Sequence, residues 1–195
     1  MHATTKAPLA AAIELIDLKK SNTLARVTSD SVTGEYLMAP PGGSEYALYI
    51  NRSGFLFQSL HFNYTENTEK PVVKDIALQP AQQNAKVILN NLFFDLNEYE
   101  LKPESIMELK EVVNFMNQNP TLRIEISGHT DASGTEAYNL QLSAKRAQSV
   151  ADYRKQNQIS DKRIVTKGYG SQQPVAPNTT EENRQLNRRI EFKIL

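Results

Sequence analysis

The segment spanning residues 122–150 constrains the fold more than any other part of the chain. Its first five residues alternate apolar and polar side chains, a glycine-containing loop follows at residues 128–134, and Thr135 is a favourable N-cap for a helix. On that helix Arg146 falls in the middle of a face that should be largely apolar. An unpaired buried guanidinium costs several kcal/mol, so Arg146 needs an anion or a set of hydrogen-bond acceptors.

Asp131, in the loop before the helix, is a candidate partner for Arg146. One interpretation is a structural salt bridge between the two side chains, which is the more common outcome for an arbitrary pair of this kind. The other interpretation is a receptor, in which the two fixed charges bind a ligand that carries both an ammonium and a carboxylate. The residue types alone do not distinguish between these two interpretations.

Two motifs resemble the C-terminal domain of the OmpA family, which includes the peptidoglycan-associated lipoproteins and the stator anchors of flagellar motors. The first is Gly128-His129-Thr130-Asp131, and the second consists of Asn139, Leu142, Ser143, Arg146, Ala147 and Val150. The resemblance extends over about residues 86–195, although Arg154 stands where the family usually has leucine. It implies that Asp131 and Arg146 bind the amino and carboxylate groups of diaminopimelate in the peptidoglycan stem peptide. Three further residues are expected beside the ligand: Thr130, Asn139 and Leu142.

Three further segments of the second half resemble the same family: Phe94-Asp95-Leu96-Asn97, Gly168 to Pro174, and Asn187-Arg188-Arg189. The resemblance makes Asn97 a candidate ligand contact, whereas a simple turn residue is an equally good interpretation because asparagine tolerates turn conformations. It also assigns the ligand contact to Arg189 and leaves Arg188 solvated or supporting the sheet. Adjacent strand residues point to opposite faces, so only one arginine can line the site, and spacing alone does not say which.

The order of elements in this half is strand, helix, strand, helix, strand and a final strand. Pro103-Glu104 is a favourable start for the first helix, and Asn119-Pro120 ends it. The pattern predicts an α/β two-layer sandwich of the OmpA C-terminal type, with helices on one face and right-handed crossovers.

The first half reads as evenly spaced short strands, which predicts a small antiparallel all-β sandwich. Short motifs around residues 11–15, 30–36, 41–46 and 54–55 resemble the carboxypeptidase-regulatory-like fold, a transthyretin-like sandwich. The family has a further strand upstream, so we expect this sandwich to be partial. The expected strands cover residues 11–18, 24–28, 35–38, 45–51, 55–64 and 72–78.

The expected domains are residues 1–80 for the sandwich, residues 81–85 for a polar linker, and residues 86–195 for the α/β domain. The aromatic side chains of the first domain alternate along its strands, which favours a core over a carbohydrate platform. We therefore expect a spacer or docking module there.

The charge balance argues against nucleic acid or an anionic membrane as the partner, because 22 basic and 22 acidic residues give no net field. The chain has no cysteine and three scattered histidines, so no metal or other cofactor is expected. Serines lie near His129, but without a Gly-x-Ser-x-Gly motif they do not indicate an enzyme.

The combined prediction is non-covalent, non-catalytic binding of the peptidoglycan stem peptide, which anchors an outer-membrane or envelope assembly to the cell wall. The alternative is a protein-interaction adaptor in an envelope or secretion complex that does not bind peptidoglycan. The resemblance implies the periplasmic face of the outer membrane, as in lipoproteins of Bacteroidota that combine these two folds. We find no signal peptide or apolar run of about eighteen residues, so we expect any membrane anchor to lie upstream.

Overall fold

The computed structural model describes residues 1–64, 73–153 and 157–195, so Arg154 lies outside the described residues. The chain divides into two compact units, Met1–Ala85 and Lys86–Leu195. Residues 81–85, which the sequence assigns to a linker, lie within the first unit. The amide of Ala81 donates to the carbonyl of Gly54 at 2.9 Å, so the start of this segment is held to the first unit.

The first unit contains a four-stranded antiparallel sheet in the order β2-β1-β3-β4. Its strands are β1 (Ala12–Asp17), β2 (Asn22–Thr28), β3 (Ser44–Asn51) and β4 (Gln58–Tyr64). Ile13 lies opposite Ile50 and Leu15 opposite Leu48, so apolar side chains of neighbouring strands share one face. The buried core on that face consists of Ala11, Ile13, Leu15, Tyr46, Leu48, Ile50 and Leu78.

The sandwich prediction is only partly met, because the described residues of the first unit form one sheet and a second sheet is absent from them. Residues 35–38 were expected as a strand, and their exposure does alternate: Tyr36 and Met38 pack against the core while Leu37 is 84% exposed. Within the described residues they have no ladder partner. Alternation of buried and exposed side chains indicates contact with a core and does not require a hydrogen-bonded neighbouring strand. Of the strand expected at residues 72–78, residue 72 lies outside the described residues, and within the described part residues 73–78 form an isolated bridge, from Leu78 to His2. The transthyretin-like assignment remains a prediction.

The second unit contains a four-stranded mixed sheet in the order β5-β8-β6-β7, in which only β6 and β7 are parallel. Its elements, in chain order, are β5 (Lys86–Ile88), a 3₁₀ turn (Pro103–Ser105), α1 (Ile106–Gln118), β6 (Ile124–His129), α2 (Glu136–Asp152), a 3₁₀ turn (Asp161–Arg163), β7 (Ile164–Gly170), α3 (Glu181–Asn187) and β8 (Ile190–Ile194).

Helices α1 and α2 cover the same face of this sheet. Leu109 of α1 and Val150 of α2 both lie against Ile126 of β6, and Phe115 of α1 meets Phe192 of β8 edge to face at 5.2 Å. Asn119 caps the C-terminus of α1, as the sequence predicts. These contacts confirm the two-layer α/β architecture.

Glycines bring α2 unusually close to the sheet. A Cβ atom on Gly128 would lie 2.1 Å from the carbonyl oxygen of Ser143, and one on Gly168 would lie 2.5 Å from the amide nitrogen of Ala144. Side chains at these two positions would therefore push the helix away. Because Gly128 is near the end of β6, this close contact places the first half of α2 beside the loop that carries Asp131.

Candidate functional site

The loop between β6 and α2 is held by hydrogen bonds on both sides. The amide of Thr130 donates to the carbonyl of Gly170 at 2.9 Å, which ties the loop to the end of β7. Asn139 donates from Nδ2 to the carbonyl of Asp131 at 3.1 Å. The hydroxyl of Thr135 accepts from the amide of Tyr138 and caps α2, as predicted from the sequence. The backbone around Asp131 is therefore fixed before any ligand binds.

The carboxylate of Asp131 is buried and faces Arg188. Its Oδ2 lies 2.6 Å from Nη1 of Arg188, and its Oδ1 accepts from the amide of Ser133 at 2.8 Å. Burial by itself would raise the pKa of Asp131, but the hydrogen bonds from Arg188 and Ser133 outweigh it and hold the pKa below its usual value. Asp131 is therefore an anion at neutral pH.

Arg146 does not pair with Asp131, which excludes the simple salt bridge between them. Its guanidinium donates from Nε to the carbonyl of Glu98 at 2.8 Å and from Nη2 to the carbonyl of Asp95 at 3.3 Å. It also lies over the ring of Phe94, 4.8 Å from the centroid. The acceptors that the sequence required for Arg146 are thus two backbone carbonyls of the loop before α1.

The position of Arg146 on α2 corrects the prediction that it occupies the middle of the apolar face. Arg146 is half-buried and lies at the edge of the buried face, whose members are Asn139, Leu142, Ser143, Ala147, Val150 and Ala151. Burial lowers the pKa of Arg146, and the charge of Arg188 lowers it further, while the carboxylate of Asp131 raises it. These influences show that the three groups share one electrostatic environment. The Nη1 group of Arg146 donates to none of the residues that the structure describes.

Arg188 and Arg189 bond to different carboxylates. Arg188 caps the C-terminus of α3 and bonds to Asp131, to Glu181 at 2.5 Å and to Gln185. Arg189 is buried and bonds to Glu191 at 2.8 Å. Arg188, rather than Arg189, therefore lies beside the loop carboxylate.

The other expected site residues occupy different environments. Asn97 is exposed and has a φ of +60°, the left-handed conformation of a turn residue. Leu142 is 9% exposed and belongs to the buried face of α2. Thr130 is 5% exposed, and its hydroxyl has no hydrogen-bond partner among the described residues. Asn139 supports the Asp131 loop through its amide group. The hydrogen bonds of the Asp131 carboxylate within the described residues come from Ser133 and Arg188, and the ligand contacts expected of Asn97 and Leu142 stay predictions.

A second charged cluster, which we call the Glu191 cluster, consists of Lys86, His129, Arg189 and Glu191. Lys86 Nζ lies 3.0 Å from Oε2 of Glu191, and His129 Nε2 lies 3.9 Å from the same oxygen. His129 is 2% exposed and stacks on Tyr169 at 5.3 Å. Burial, together with the charge of Arg189, lowers the pKa of His129 to about 4, so it is neutral near pH 7.

Burial would raise the pKa of Glu191, but hydrogen bonds from Lys86 and Arg189 outweigh it and lower the pKa. The sequence motifs include two members of this cluster, His129 and Arg189, but did not predict the cluster itself. The available signal was the alternation along the last strand, which puts Arg189, Glu191 and Lys193 on one side.

Within residues 1–64, 73–153 and 157–195, no group of three side chains is suited to hold a metal ion. In the same ranges no helix combines the length and apolar character that crossing a bilayer requires.

The second unit is a two-layer α/β domain that holds a buried carboxylate, Asp131, and a separate half-buried guanidinium, Arg146, each with its own partners. Residues 93–188 match the model of the OmpA family. The chain is 38% identical over 115 residues to outer membrane porin F of Pseudomonas fluorescens, which covers 59% of this chain and 35% of that protein. It is 40% identical over 126 residues to outer membrane protein A of Bordetella avium, which covers 64% of this chain and 65% of that protein.

The crystal structure of the peptidoglycan-associated lipoprotein from Burkholderia pseudomallei resembles the chain with a TM-score of 0.50 and 28% identity, over 53% of this chain and 88% of that one. The second unit thus resembles the OmpA C-terminal domain in sequence and in fold. The chain spans 35% and 65% of the length of the two curated relatives.

Proposed function

We propose that the second unit binds the stem peptide of peptidoglycan without covalent chemistry and thereby anchors an outer-membrane or envelope assembly to the cell wall. The observation that carries the proposal is the separation of two opposite charges that are each fixed by other groups. Asp131 is oriented by Ser133 and Arg188, and Arg146 by the carbonyls of Asp95 and Glu98. The two charges influence each other without pairing.

The ligand that suits this arrangement is a zwitterionic amino-acid centre, for which diaminopimelate is the proposed chemistry. A carboxylate can accept about four hydrogen bonds, so Asp131 retains capacity for a ligand ammonium beside its two present donors. Arg146 can offer Nη1 to the ligand carboxylate while its other nitrogens hold the loop. Arg188 supports Asp131 in this arrangement, and the ligand contact that the resemblance assigned to Arg189 stays a prediction.

Two remaining candidates have defined places in the proposal. The buried hydroxyl of Thr130 lacks a partner among the described residues and is available for a hydrogen bond if the loop adjusts. Asn139 acts through the loop, because its amide already bonds to the carbonyl of Asp131. Asn97 and Leu142 keep only the role that the resemblance implies.

The expected affinity is modest. Each charge-assisted hydrogen bond contributes about 1.5–3 kcal/mol. Two or three such bonds, reduced by the cost of immobilising a peptide, correspond to a Kd for free peptide of roughly 10 μM to 1 mM. Such binding suffices for an anchor because the ligand repeats along a polymer and a tethered protein rebinds at high effective concentration.

The names of the relatives support the cellular setting of this proposal. Two relatives are outer-membrane proteins by name, and the similar solved structure is a peptidoglycan-associated lipoprotein. We accordingly place this chain at the periplasmic face of the outer membrane, in a non-catalytic role. An adaptor that contacts only other envelope proteins is the second candidate, favoured by the presence of a separate first unit.

Co-sedimentation with purified peptidoglycan sacculi tests the proposal. We expect the parent protein to pellet with sacculi, and Asp131→Asn and Arg146→Lys to reduce the pelleted fraction at least tenfold. Asp131→Asn is the sharper variant because it keeps the side-chain shape, whereas Arg146→Lys also loosens the loop at residues 95–98. Matched controls are Asp75→Asn and Arg26→Lys, which make the same chemical changes in the first unit and should leave pelleting unchanged.

Three outcomes contradict the proposal. Pelleting of both site variants to the same extent as the parent would exclude the two-charge site. Release of soluble fragments from the sacculi would show an enzyme, and failure of the parent protein to pellet would favour the adaptor.

A further inference from the structure

His129 is a buried histidine that directly precedes the loop of the candidate site and has no part in the proposed peptide contacts. It is the last residue of β6 and lies two positions before Asp131. Neither nitrogen of its ring has a hydrogen-bond partner among the residues that the structure describes. Such a site favours the neutral imidazole, because a protonated ring would bring a charge and a second N–H donor into it without an acceptor.

A carboxylate lies near His129, but other cations already neutralise it. Oε2 of Glu191, on β8, is 3.9 Å from Nε2 of the histidine. The same carboxylate accepts from Lys86 of β5 at 3.0 Å and from Arg189, the residue before β8, at 2.8 Å. Protonation of His129 would therefore place three cations around one carboxylate, which is unfavourable where two of the groups are shielded from water.

The β7 side of the ring adds one carboxylate and one cation. Tyr169 of β7 stacks on His129, with the ring centroids 5.3 Å apart. The hydroxyl of Tyr169 donates to Glu125 of β6 at 3.2 Å, and Nζ of Lys167 lies 5.0 Å from the centroid of the tyrosine ring. The positive charges named on the two sides thus outnumber the negative ones even while His129 is neutral.

The backbone of His129 joins these charges to the Asp131 loop. The amide of His129 donates to the carbonyl of Arg189 at 2.9 Å, and the amide of Thr130 donates to the carbonyl of Gly170 at 2.9 Å. The two bonds hold the end of β6 to the chain on either side, immediately before Asp131. A force that drives the His129 ring away from the neighbouring cations therefore acts on the backbone that positions the Asp131 carboxylate.

We propose that His129 is a positioning residue for the Asp131 loop: its neutral ring keeps the loop in the binding arrangement, and its protonation as the pH falls opens the loop and weakens binding of the stem peptide. This inference rests on the proposed function. It gives the Glu191 cluster an influence on binding that is exerted only through the loop.

The direction of the effect follows from the two environments of the histidine. Burial, together with the charge of Arg189, lowers the pKa of His129 to about 4 in the closed loop. In an opened loop the ring meets water and its pKa returns towards 6.5, so protons bind preferentially to the opened form. The contribution of His129 to the closed loop is therefore complete above about pH 6.5 and is lost progressively down to about pH 4.

The charges that contact the ligand do not account for weaker binding between pH 7 and pH 5. The pKa of Asp131 lies below its usual value, so this carboxylate stays ionised at pH 5. A ligand carboxylate titrates near pH 3.5 and a ligand ammonium near pH 8, so both remain largely charged as well. Asp131 and the ligand by themselves thus predict an affinity that is unchanged or slightly higher at pH 5.

Calorimetric titration of the full chain with a diaminopimelate-containing tetrapeptide at pH 7 and pH 5 tests the inference. One group with these two pKa values can weaken binding by up to about twentyfold over this interval, and we expect a loss of at least roughly threefold in the parent protein. His129→Phe retains an aromatic ring but takes up no proton, so it should bind as the parent does at pH 7 and equally well at pH 5. The matched control is His61→Phe in the first unit, which should lose affinity as the parent does.

A second measurement needs no variant. Coupling between two ligands is reciprocal, so a saturating concentration of the tetrapeptide should lower the pKa of His129 in an NMR titration of the parent protein. Near-UV circular dichroism of the parent at pH 5 should remain that of the folded protein. This signal separates opening of one loop from unfolding of the chain.

Equal affinity of the parent protein at pH 7 and pH 5 overturns the role of His129 and leaves the peptide site intact. It is also overturned by the same loss of affinity in His129→Phe, by absence of binding at pH 7 in a folded His129→Phe, or by a His129 pKa that the peptide does not change. Loss of the folded signal by the parent at pH 5 assigns the effect to the whole fold and overturns the local opening. Failure of the parent to bind the tetrapeptide at pH 7 contradicts the proposed function itself.

Discussion

Arg188 and Arg189 are adjacent in the sequence, yet they serve two different clusters. Arg188 retains an exposed side (29% of its side chain) and joins Asp131 to Glu181 at the candidate site. Arg189 has a 5% exposed side chain and neutralises Glu191, beside Lys86 and His129. The comparison shows that neighbouring residues of the same type can pair with different carboxylates in different surroundings.

The two clusters differ in the energetic consequence of losing one charge. The Asp131 cluster, which consists of Asp131, Ser133, Glu181 and Arg188, is partly open to water, and such pairs contribute little to stability. In the Glu191 cluster, Arg189 and Glu191 are shielded from water while Lys86 is 56% exposed, so removal of Arg189 leaves the buried Glu191 carboxylate with only an exposed cationic partner. We therefore expect mutations in the Glu191 cluster to act on folding and those in the Asp131 cluster to act on binding.

The largest expected effect is the difference in the free energy of unfolding between the variants Arg189→Met and Arg188→Met. Arg189→Met leaves Glu191 with only Lys86 as a cationic partner and should lower the free energy of unfolding by about 3–5 kcal/mol. Arg188→Met should lower it by about 1 kcal/mol, because Arg188 itself is 29% exposed and Asp131 retains the bond from the Ser133 amide. Urea unfolding of each variant measures its free energy of unfolding. Equal losses of stability would remove the distinction between the clusters.

An intermediate effect on stability is expected from the protonation of His129 at low pH. The folded-state pKa of about 4 lies below the unfolded value of 6.5, so the unfolded chain takes up a proton first as the pH falls. The stability due to neutral His129 is therefore present above about pH 6.5 and is lost progressively down to about pH 4. Between pH 7 and pH 4.5 this loss amounts to about 2 kcal/mol.

The matched variant for this prediction is His129→Phe, which keeps a ring against Tyr169 and removes the titration. Both ring nitrogens of His129 lack hydrogen-bond partners among the described residues, so phenylalanine breaks none of their bonds. Urea unfolding at pH 7 and pH 4.5 should show about 2 kcal/mol less pH dependence in the variant. The same pH dependence in both proteins would show that His129 is not shielded as the structure indicates.

The smallest expected effect concerns the titration of Asp131. Its folded-state pKa is lowered, so its contribution to stability is present above the unfolded pKa and is lost as the pH falls through the folded value. Arg188→Met should raise the pKa of Asp131, as measured by NMR titration of its carboxyl carbon. The associated change in stability should stay below about 1 kcal/mol. Arg123→Met is the control, and an unchanged Asp131 pKa in Arg188→Met would contradict the pairing.

Local sequence patterns predicted much of the second unit. The N-cap at Thr135 and the end of α1 at Asn119 depend on neighbouring residues only, and the structure agrees with both. The positions of Asp131 before α2 and Arg146 on α2 also follow from local periodicity. In the first unit, the same periodicity predicted an extra strand at residues 35–38, which has no partner strand among the residues that the structure describes, because alternation carries no information about ladder hydrogen bonds.

The sequence by itself determined which segments become strands and helices near the site and which charged residues they carry. Only the tertiary structure decided which partners those charges take. Asp131 meets Arg188 across 57 residues, and Arg146 meets the carbonyl of Glu98 across 48. Such pairings depend on sheet register, on the close approach of α2 to Gly128 and Gly168, and on the direction of each side chain. None of these is encoded in the spacing of residues along the chain, because they arise only when distant segments pack together.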